Sequence, residues 1–90
     1  MVIDRNKPYY EATICYDSGH VEHREDGDLA FLCWSVKEDI KRKSEENTSY
    51  AFGFFDVVLW CLGGQTHAVT WYFAYDFDKS RVRFRKGKVV

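Results

Sequence analysis

The feature that most constrains this fold is the Gly63-Gly64 pair, which lies between two long runs rich in aromatic and β-branched residues, 50–62 and 65–77. Two adjacent glycines suit a two-residue hairpin loop, so the pair predicts that both runs are antiparallel strands. With these glycines as the loop, the expected pairs are Trp60 with His67, Val58 with Val69, Asp56 with Trp71, Phe54 with Phe73, and Phe52 with Tyr75. We expect the face that carries these residues to pack on a helix.

A helix is predicted over residues 28–47. Asp28 is a suitable N-cap, because its carboxylate can accept hydrogen bonds from the first free amides of the helix. Apolar residues then recur at spacings of three and four, as one buried helix face requires. These residues are Leu29, Leu32, Cys33, Val36 and Ile40. The pattern therefore predicts one amphipathic helix.

Two further hairpins complete the expected sheet. Residues 9–24 alternate in polarity around a Ser18-Gly19 turn, which would place Tyr16 opposite Val21. Residues 49–87 read as a three-stranded meander, in which Phe77 faces Val82 and Asp76 faces Arg83. The prediction is a single α+β domain over residues 1–90, with one helix on an antiparallel sheet of about five strands in the order β-β-α-β-β-β.

Composition favours a reduced, soluble protein with an ordinary core. The chain holds seven Phe, six Tyr and three Trp, enough large side chains to fill a core without disulfides. Its three cysteines are an odd number at wide spacing, and no apolar leader follows Met1. No apolar run reaches the roughly 18 residues of a membrane helix. We expect a cytoplasmic protein.

The residues that could carry catalysis or bind a metal are not expected to lie close together in the fold. Cys15, His20 and His23 are candidate zinc ligands, but the two histidines are expected on opposite faces of a strand. Cys61 has no histidine base placed beside it, although a thiol enzyme would need one. Asp56 is expected on the core face opposite Trp71. It is interpreted as an acceptor for that indole, a residue of a bulge, a sign of a different register, or a general acid or base. We expect no enzyme activity, no metal and no cofactor.

The second face of the sheet is unusually apolar for a face turned towards solvent. A sheet covered on one side should alternate apolar and polar residues, yet several large side chains fall on the second face or off the helix stripe. Contiguous exposed aromatic residues are typical of interfaces. The expected partner-binding residues are Phe55, Val57, Leu59 and Tyr72, together with Phe31 and Trp34 of the helix. The alternative is that the N-terminal segment or first hairpin covers this face as a second small core.

The basic C-terminal end offers a second kind of surface. Residues 79–90 carry six basic and no acidic side chains, although the formal net charge of the whole chain is -1. Alternating arginines on one strand would present a basic stripe to phosphates. The candidate nucleic-acid-binding residues are Arg81, Arg83, Arg85, Lys86 and Lys88. The alternative is a solvated edge strand whose charges discourage aggregation.

The sequence therefore predicts a non-enzymatic protein-interaction module that binds a larger protein or itself as a homodimer. Small domains without chemistry of their own are typical of inhibitors, adaptors and immunity-type proteins, including those of phages and mobile elements. Nucleic-acid binding through the basic strand is the alternative function. Neither hypothesis involves a membrane.

Overall fold

The computed structural model describes residues 7–87, which form one helix packed on a five-stranded antiparallel sheet. The elements are β1 (Tyr9–Tyr16), β2 (Val21–Asp26), α1 (Leu29–Glu46), a short 3-10 turn (Thr48–Tyr50), β3 (Phe52–Cys61), β4 (Gly64–Asp76) and β5 (Arg81–Lys86). The order of strands across the sheet is β2-β1-β3-β4-β5. The predicted α+β class and element order β-β-α-β-β-β are confirmed. Met1, the predicted N-terminal segment and Lys88 lie outside the described residues.

Helix α1 begins where the sequence predicts it. One carboxylate oxygen of Asp28 accepts the backbone N–H of Ala30 at 2.9 Å and that of Phe31 at 3.3 Å. Free amides in the first turn of a helix need such acceptors, because no preceding turn supplies carbonyls to them. Leu32, Val36 and Ile40 are buried against the sheet, as their spacing requires. The N-cap and the apolar stripe together fix the start and the orientation of the helix.

The core lies between α1 and one face of the sheet. Four strands, β1, β3, β4 and β5, contribute apolar side chains to it. Its buried residues are Ala12, Ile14, Tyr16, Leu32, Val36, Ile40, Ala51, Phe55, Val57, Phe73, Tyr75 and Val82. The alternation predicted for β1 is confirmed, because Ala12, Ile14 and Tyr16 are buried while the residues between them are less so.

The β3–β4 hairpin has a different register from the expected one. Cys61 pairs with Gly64, so the two loop residues are Leu62 and Gly63. The register shifts once more between Val57 and Val58, where β4 holds one extra residue. Side chains alternate with a period of two, so a one-residue slip turns every side chain of a strand to the opposite face.

The register exchanges the two faces of β3. Phe55 and Val57 are fully buried in the core, at 0% exposure, so the prediction that they lie on an exposed binding face is wrong. Leu59 follows the same alternation and pairs with Tyr10 on the helix side. Asp56 does not face Trp71 either, because it pairs with Thr70 on the other side of the sheet. The interpretation of Asp56 as a sign of a different register is therefore confirmed, and its expected position opposite Trp71 is wrong.

Gly53 provides a physical reason for this register. It pairs with Phe73, and a Cβ atom at position 53 would lie 2.7 Å from Cζ of that ring. The same Cβ would lie 2.2 Å from the backbone oxygen of Cys15 in β1. A glycine within a strand often marks this kind of close approach by a ring or a backbone. Gly53 thus lets the Phe73 ring cover the strand and lets β1 lie against β3.

The other two hairpins also differ in register. Cys15, and not Tyr16, pairs with Val21, so the side chain of Val21 is exposed on the outer face. The backbone N–H of Tyr16 donates to the carbonyl of His20, which closes a longer loop than the expected two-residue turn. In the last hairpin Tyr75 pairs with Val82, a shift of two residues from the expected pairing that leaves every side chain on its predicted face.

A charged network joins β2 to α1 beside the apolar core. The carboxylate of Asp39 is only 4% exposed and lies 2.8 Å from the Arg24 guanidinium and 3.2 Å from the Lys43 ammonium. Lys43 also contacts Glu22 at 2.6 Å. Burial alone would raise the pKa of Asp39, but the hydrogen bonds and the positive charge of Arg24 outweigh burial and lower it. At the β2 edge, ion pairs between β2 and α1 therefore take the place of the apolar contacts that join α1 to the other strands.

Replacing Gly53 with alanine should destabilise the fold by about 1–3 kcal/mol, because the added methyl group meets backbone on one side and a buried ring on the other. Urea unfolding measures this change. Gly27→Ala is the matched control, since a Cβ at position 27 meets nothing within 4 Å. Equal stability of the Gly53→Ala and Gly27→Ala proteins would contradict the close approach of Phe73 and β1 to Gly53.

Asp39→Asn should lower the free energy of unfolding near neutral pH by about 1–3 kcal/mol, because it removes the buried carboxylate that pairs with Arg24 and Lys43. The pKa of Asp39 is lower in the folded than in the unfolded chain, whose value is near 3.8. Its contribution is therefore complete above that pH and is lost as the pH falls through the folded value. The wild type should lose its advantage over Asp39→Asn in acid, measured by urea unfolding across a pH series. Glu38→Gln, an exposed neighbour, is the control, and a constant difference across the series would contradict the assignment.

Candidate functional site

The candidate site is the outer face of the sheet, the face opposite α1. None of the described helices packs on it. Alternation along the strands places large apolar residues on this face, and they are exposed or half-buried. The principal ones are Tyr9, Phe52, Phe54, Val58, Trp60 and Tyr72.

Two aromatic pairs lie across neighbouring strands of the outer face. The ring centroids of Phe54 and Tyr72 are 6.0 Å apart, and those of Tyr9 and Trp60 are 6.4 Å apart in a stacked arrangement. The indole N–H of Trp60 donates to the Glu11 carboxylate at 3.4 Å, which fixes the ring and occupies that acid. Cross-strand aromatic pairs of this kind stabilise a sheet and also form a stiff contact surface.

An arginine-lined groove lies on the outer face between β4 and β5. The guanidinium carbon of Arg85 lies 5.6 Å from the centroid of the Tyr72 ring, a cation–π contact. The groove has a volume of about 380 Å³, and its lining is Tyr72, Phe73, Ala74, Arg83, Phe84 and Arg85. Tyr72 is 44% exposed, so a flat aromatic wall and two guanidinium groups are accessible from solvent together.

Two carboxylates on this face each form an ion pair or a hydrogen bond with a neighbouring side chain. The Asp76 carboxylate lies 3.2 Å from the Arg83 guanidinium. The carboxylate of Asp56 accepts the hydroxyl proton of Thr70. Arg83 is therefore paired with an acid, whereas the guanidinium of Arg85 lies over the Tyr72 ring. The groove consequently holds one arginine that contacts an aromatic ring and one that is paired with an acid.

The contacts of Asp56 form a chain with Thr70 and His67. Thr70 gives its only hydroxyl proton to Asp56, so the imidazole Nε2 of His67, at 2.8 Å, must donate to the Thr70 oxygen. An activated hydroxyl nucleophile needs the reverse arrangement, with the imidazole accepting its proton. This geometry holds Thr70 in place and does not activate it.

The thiols and the other histidines do not converge. Cys15 is on the outer face, and its pKa is raised by burial and then by the charge of Asp56. Burial also raises the pKa of Cys33, and a thiol with a raised pKa is a weaker nucleophile at neutral pH. The His20 ring packs beside Tyr16, whereas His23 on the outer face contacts the Thr13 hydroxyl at 3.2 Å. Over residues 7–87, no three His, Cys, Asp or Glu side chains are grouped to hold a metal ion.

The predicted partner-binding residues divide between three places. Phe55 and Val57 are in the core, and Tyr72 is on the outer face. Phe31 and Trp34 lie on the solvent side of α1, 46% and 56% exposed, with ring centroids 5.7 Å apart. The helix therefore separates this pair from the outer face, and one flat partner surface cannot contact both groups.

The basic residues are likewise divided. Arg81, Arg83 and Arg85 share the outer side of β5, as their spacing predicts. Lys86 pairs with Trp71 and therefore lies on the helix side.

Sequence reasoning missed Phe54 and Trp60 as surface residues because it placed them on the helix side. The glycine at position 53 is the signal that could have corrected it, because a glycine inside a strand marks a position that a large side chain covers.

No family model, curated protein or solved structure matches this chain. In the described part of the chain, no helix is both long and apolar enough to cross a membrane.

Proposed function

We propose that this protein is a non-enzymatic binding module that docks a larger protein partner through the outer face of its sheet. The observation that carries the proposal is the accessible Phe54–Tyr72 pair beside the arginine-lined groove. An inhibitor, an adaptor or an immunity-type protein of a phage or mobile element would act in this way.

The composition of the outer face supports this role. Tyr, Trp and Arg are the residues most enriched at the energetic centres of protein interfaces. A large aromatic ring buries much area on binding and loses little conformational entropy, since few of its bonds rotate. On the outer face Tyr72 is already held between Phe54 and Arg85. The surface is thus stiff before a partner arrives, which lowers the entropic cost of docking.

Although β3 is turned over relative to the expectation, its outer face is still apolar. The expected band of Phe55, Val57 and Leu59 is turned towards the helix, but Phe54, Val58 and Trp60 replace it on the outer face. Both faces of this strand are apolar, and one helix covers only one of them. An apolar sheet face that no helix covers supports a contact with another molecule.

Removing the aromatic pair should abolish docking and leave the fold intact. The Phe54→Ser/Tyr72→Ser protein should lose at least about tenfold in affinity for its partner, as expected at the centre of an interface. The measurement is quantitative capture from cells that naturally express the protein, followed by titration of the captured partner. Sedimentation of the purified protein over a concentration series tests self-association as the other outcome.

The matched control removes two exposed rings from the other side of the molecule. Phe31→Ser/Trp34→Ser should retain the partner, because these rings are on the solvent side of α1. Thermal melting establishes that both double variants are folded. Loss of the partner in the helix variant alone would overturn the assignment to the outer face.

Single-stranded nucleic acid is the second candidate ligand. The contact between Arg85 and Tyr72 favours it, because bases stack on aromatic rings while guanidinium groups bind phosphates. Against it stand the formal net charge of -1 and the carboxylates of Asp56 and Asp76 on the same face.

The nucleic-acid candidate makes a measurable prediction. Fluorescence anisotropy of labelled single-stranded and double-stranded oligonucleotides should show binding that falls steeply as salt is raised, since phosphate contacts release counterions. Arg83→Glu and Arg85→Glu should each abolish it. Absence of binding at low salt would eliminate this candidate and leave the protein partner.

A further inference from the structure

Strand β5 lies at one edge of the sheet, where it pairs with β4 alone. Half of the backbone N–H and C=O groups of an edge strand point away from the sheet and are available to another chain. The opposite edge, β2, carries side chains of both signs, and Glu22 and Arg24 are engaged with α1. All four charged residues of β5 are basic, namely Arg81, Arg83, Arg85 and Lys86.

The spacing of the arginines matches the repeat of a neighbouring strand. Alternate residues of a strand are about 6.6–6.8 Å apart, and a strand added alongside has the same repeat. Side chains directly opposite each other in paired strands have Cβ atoms about 4.5–5.5 Å apart, close enough for ion pairs. Carboxylates at alternate positions of an added strand would thus lie beside the arginines of the outer side, where Arg83 already contacts Asp76 and is flanked by Arg81 and Arg85.

The helix side of β5 indicates which residues would suit the remaining positions of an added strand. Val82 is buried and Phe84 is partly buried against the core, where the Phe84 ring contacts Phe55 at a centroid distance of 5.2 Å. An added strand would place its remaining side chains beside these two residues and near α1. Apolar side chains suit that position.

From this geometry we propose that β5 pairs with an extended segment of a protein partner in which acidic and apolar residues alternate. The segment extends the sheet as a sixth strand. This inference rests on the proposed function, since it names the chemistry of the partner that docks beside the outer face. Backbone hydrogen bonds supply part of the affinity, and the arginines select the acidic sequence.

A peptide segment fits this edge better than a nucleic-acid strand. A sugar–phosphate backbone has no alternating N–H and C=O groups to pair with the free edge of β5. A peptide strand uses both the free backbone edge and the charged side chains.

The test uses the whole protein and three labelled eight-residue peptides in fluorescence anisotropy titrations. One alternates glutamate and valine, one alternates lysine and valine, and one is the glutamate peptide with a central valine replaced by proline. The glutamate peptide should bind the wild type, and raised salt should weaken it. The lysine peptide should not bind. The proline peptide keeps every charge but loses a backbone donor, so it should bind at least about fivefold more weakly.

Charge reversal provides the decisive comparison. Arg81→Glu/Arg85→Glu should lose the glutamate peptide and gain the lysine peptide. The control Lys37→Glu/Lys79→Glu changes the net charge by the same amount at exposed positions outside β5 and should retain the wild-type preference. Circular dichroism verifies that both variants are folded.

Three results would overturn the edge-strand inference: no binding of the glutamate peptide to the wild type, equal binding of the proline peptide, or no reversal of preference in the Arg81→Glu/Arg85→Glu protein. Stronger binding of an oligonucleotide of the same charge than of the glutamate peptide would also overturn it. None of these results bears on the Phe54→Ser/Tyr72→Ser experiment, which tests the outer face separately.

Discussion

The pairing of β3 with β4 at the centre of the sheet sets which face each side chain of these strands occupies. Gly53 allows the Phe73 ring to lie over β3, and one extra residue of β4 opposite Val57 and Val58 resets the register further along the hairpin. Because side chains alternate along a strand, this pairing decides which residues fill the core and which face solvent. Phe55 and Val57 thereby complete the packing against α1, and Phe54 and Tyr72 form the outer surface.

The two layers of the molecule are held together by different interactions. Apolar packing joins α1 to the middle of the sheet, whereas a carboxylate shared by Arg24 and Lys43 joins it to β2 at the edge. Only the carboxylate of this network is buried, and removing the partners of a buried charge is costly. The helix is therefore held on one face of the sheet, both at its middle and at the β2 edge, and the opposite face is left to contact other molecules.

The elements could be predicted from the sequence because their signals are local. Asp28 and the apolar stripe define the helix, and the alternation in β1 identifies its inner face. The register of the β3–β4 hairpin could not be predicted from the Gly63-Gly64 pair, because the loop residues are Leu62 and Gly63 and the bulge leaves no local signal. Both faces of β3 are apolar, so its hydrophobic pattern does not distinguish the two registers. The predicted binding residues failed for this reason at Phe55 and Val57, while Tyr72, on β4, was correctly expected to be exposed.

Nuclear Overhauser contacts across the β3–β4 hairpin show directly which face of β3 is turned towards α1. The β3–β4 pairing predicts contacts between the rings of Phe54 and Tyr72 on the outer face, and between those of Phe55 and Phe84 on the helix side. Contacts from the Phe54 ring to Phe84 would show that β3 has the opposite orientation. In that case the Phe54–Tyr72 surface would not exist, and the proposed binding face would be part of the core.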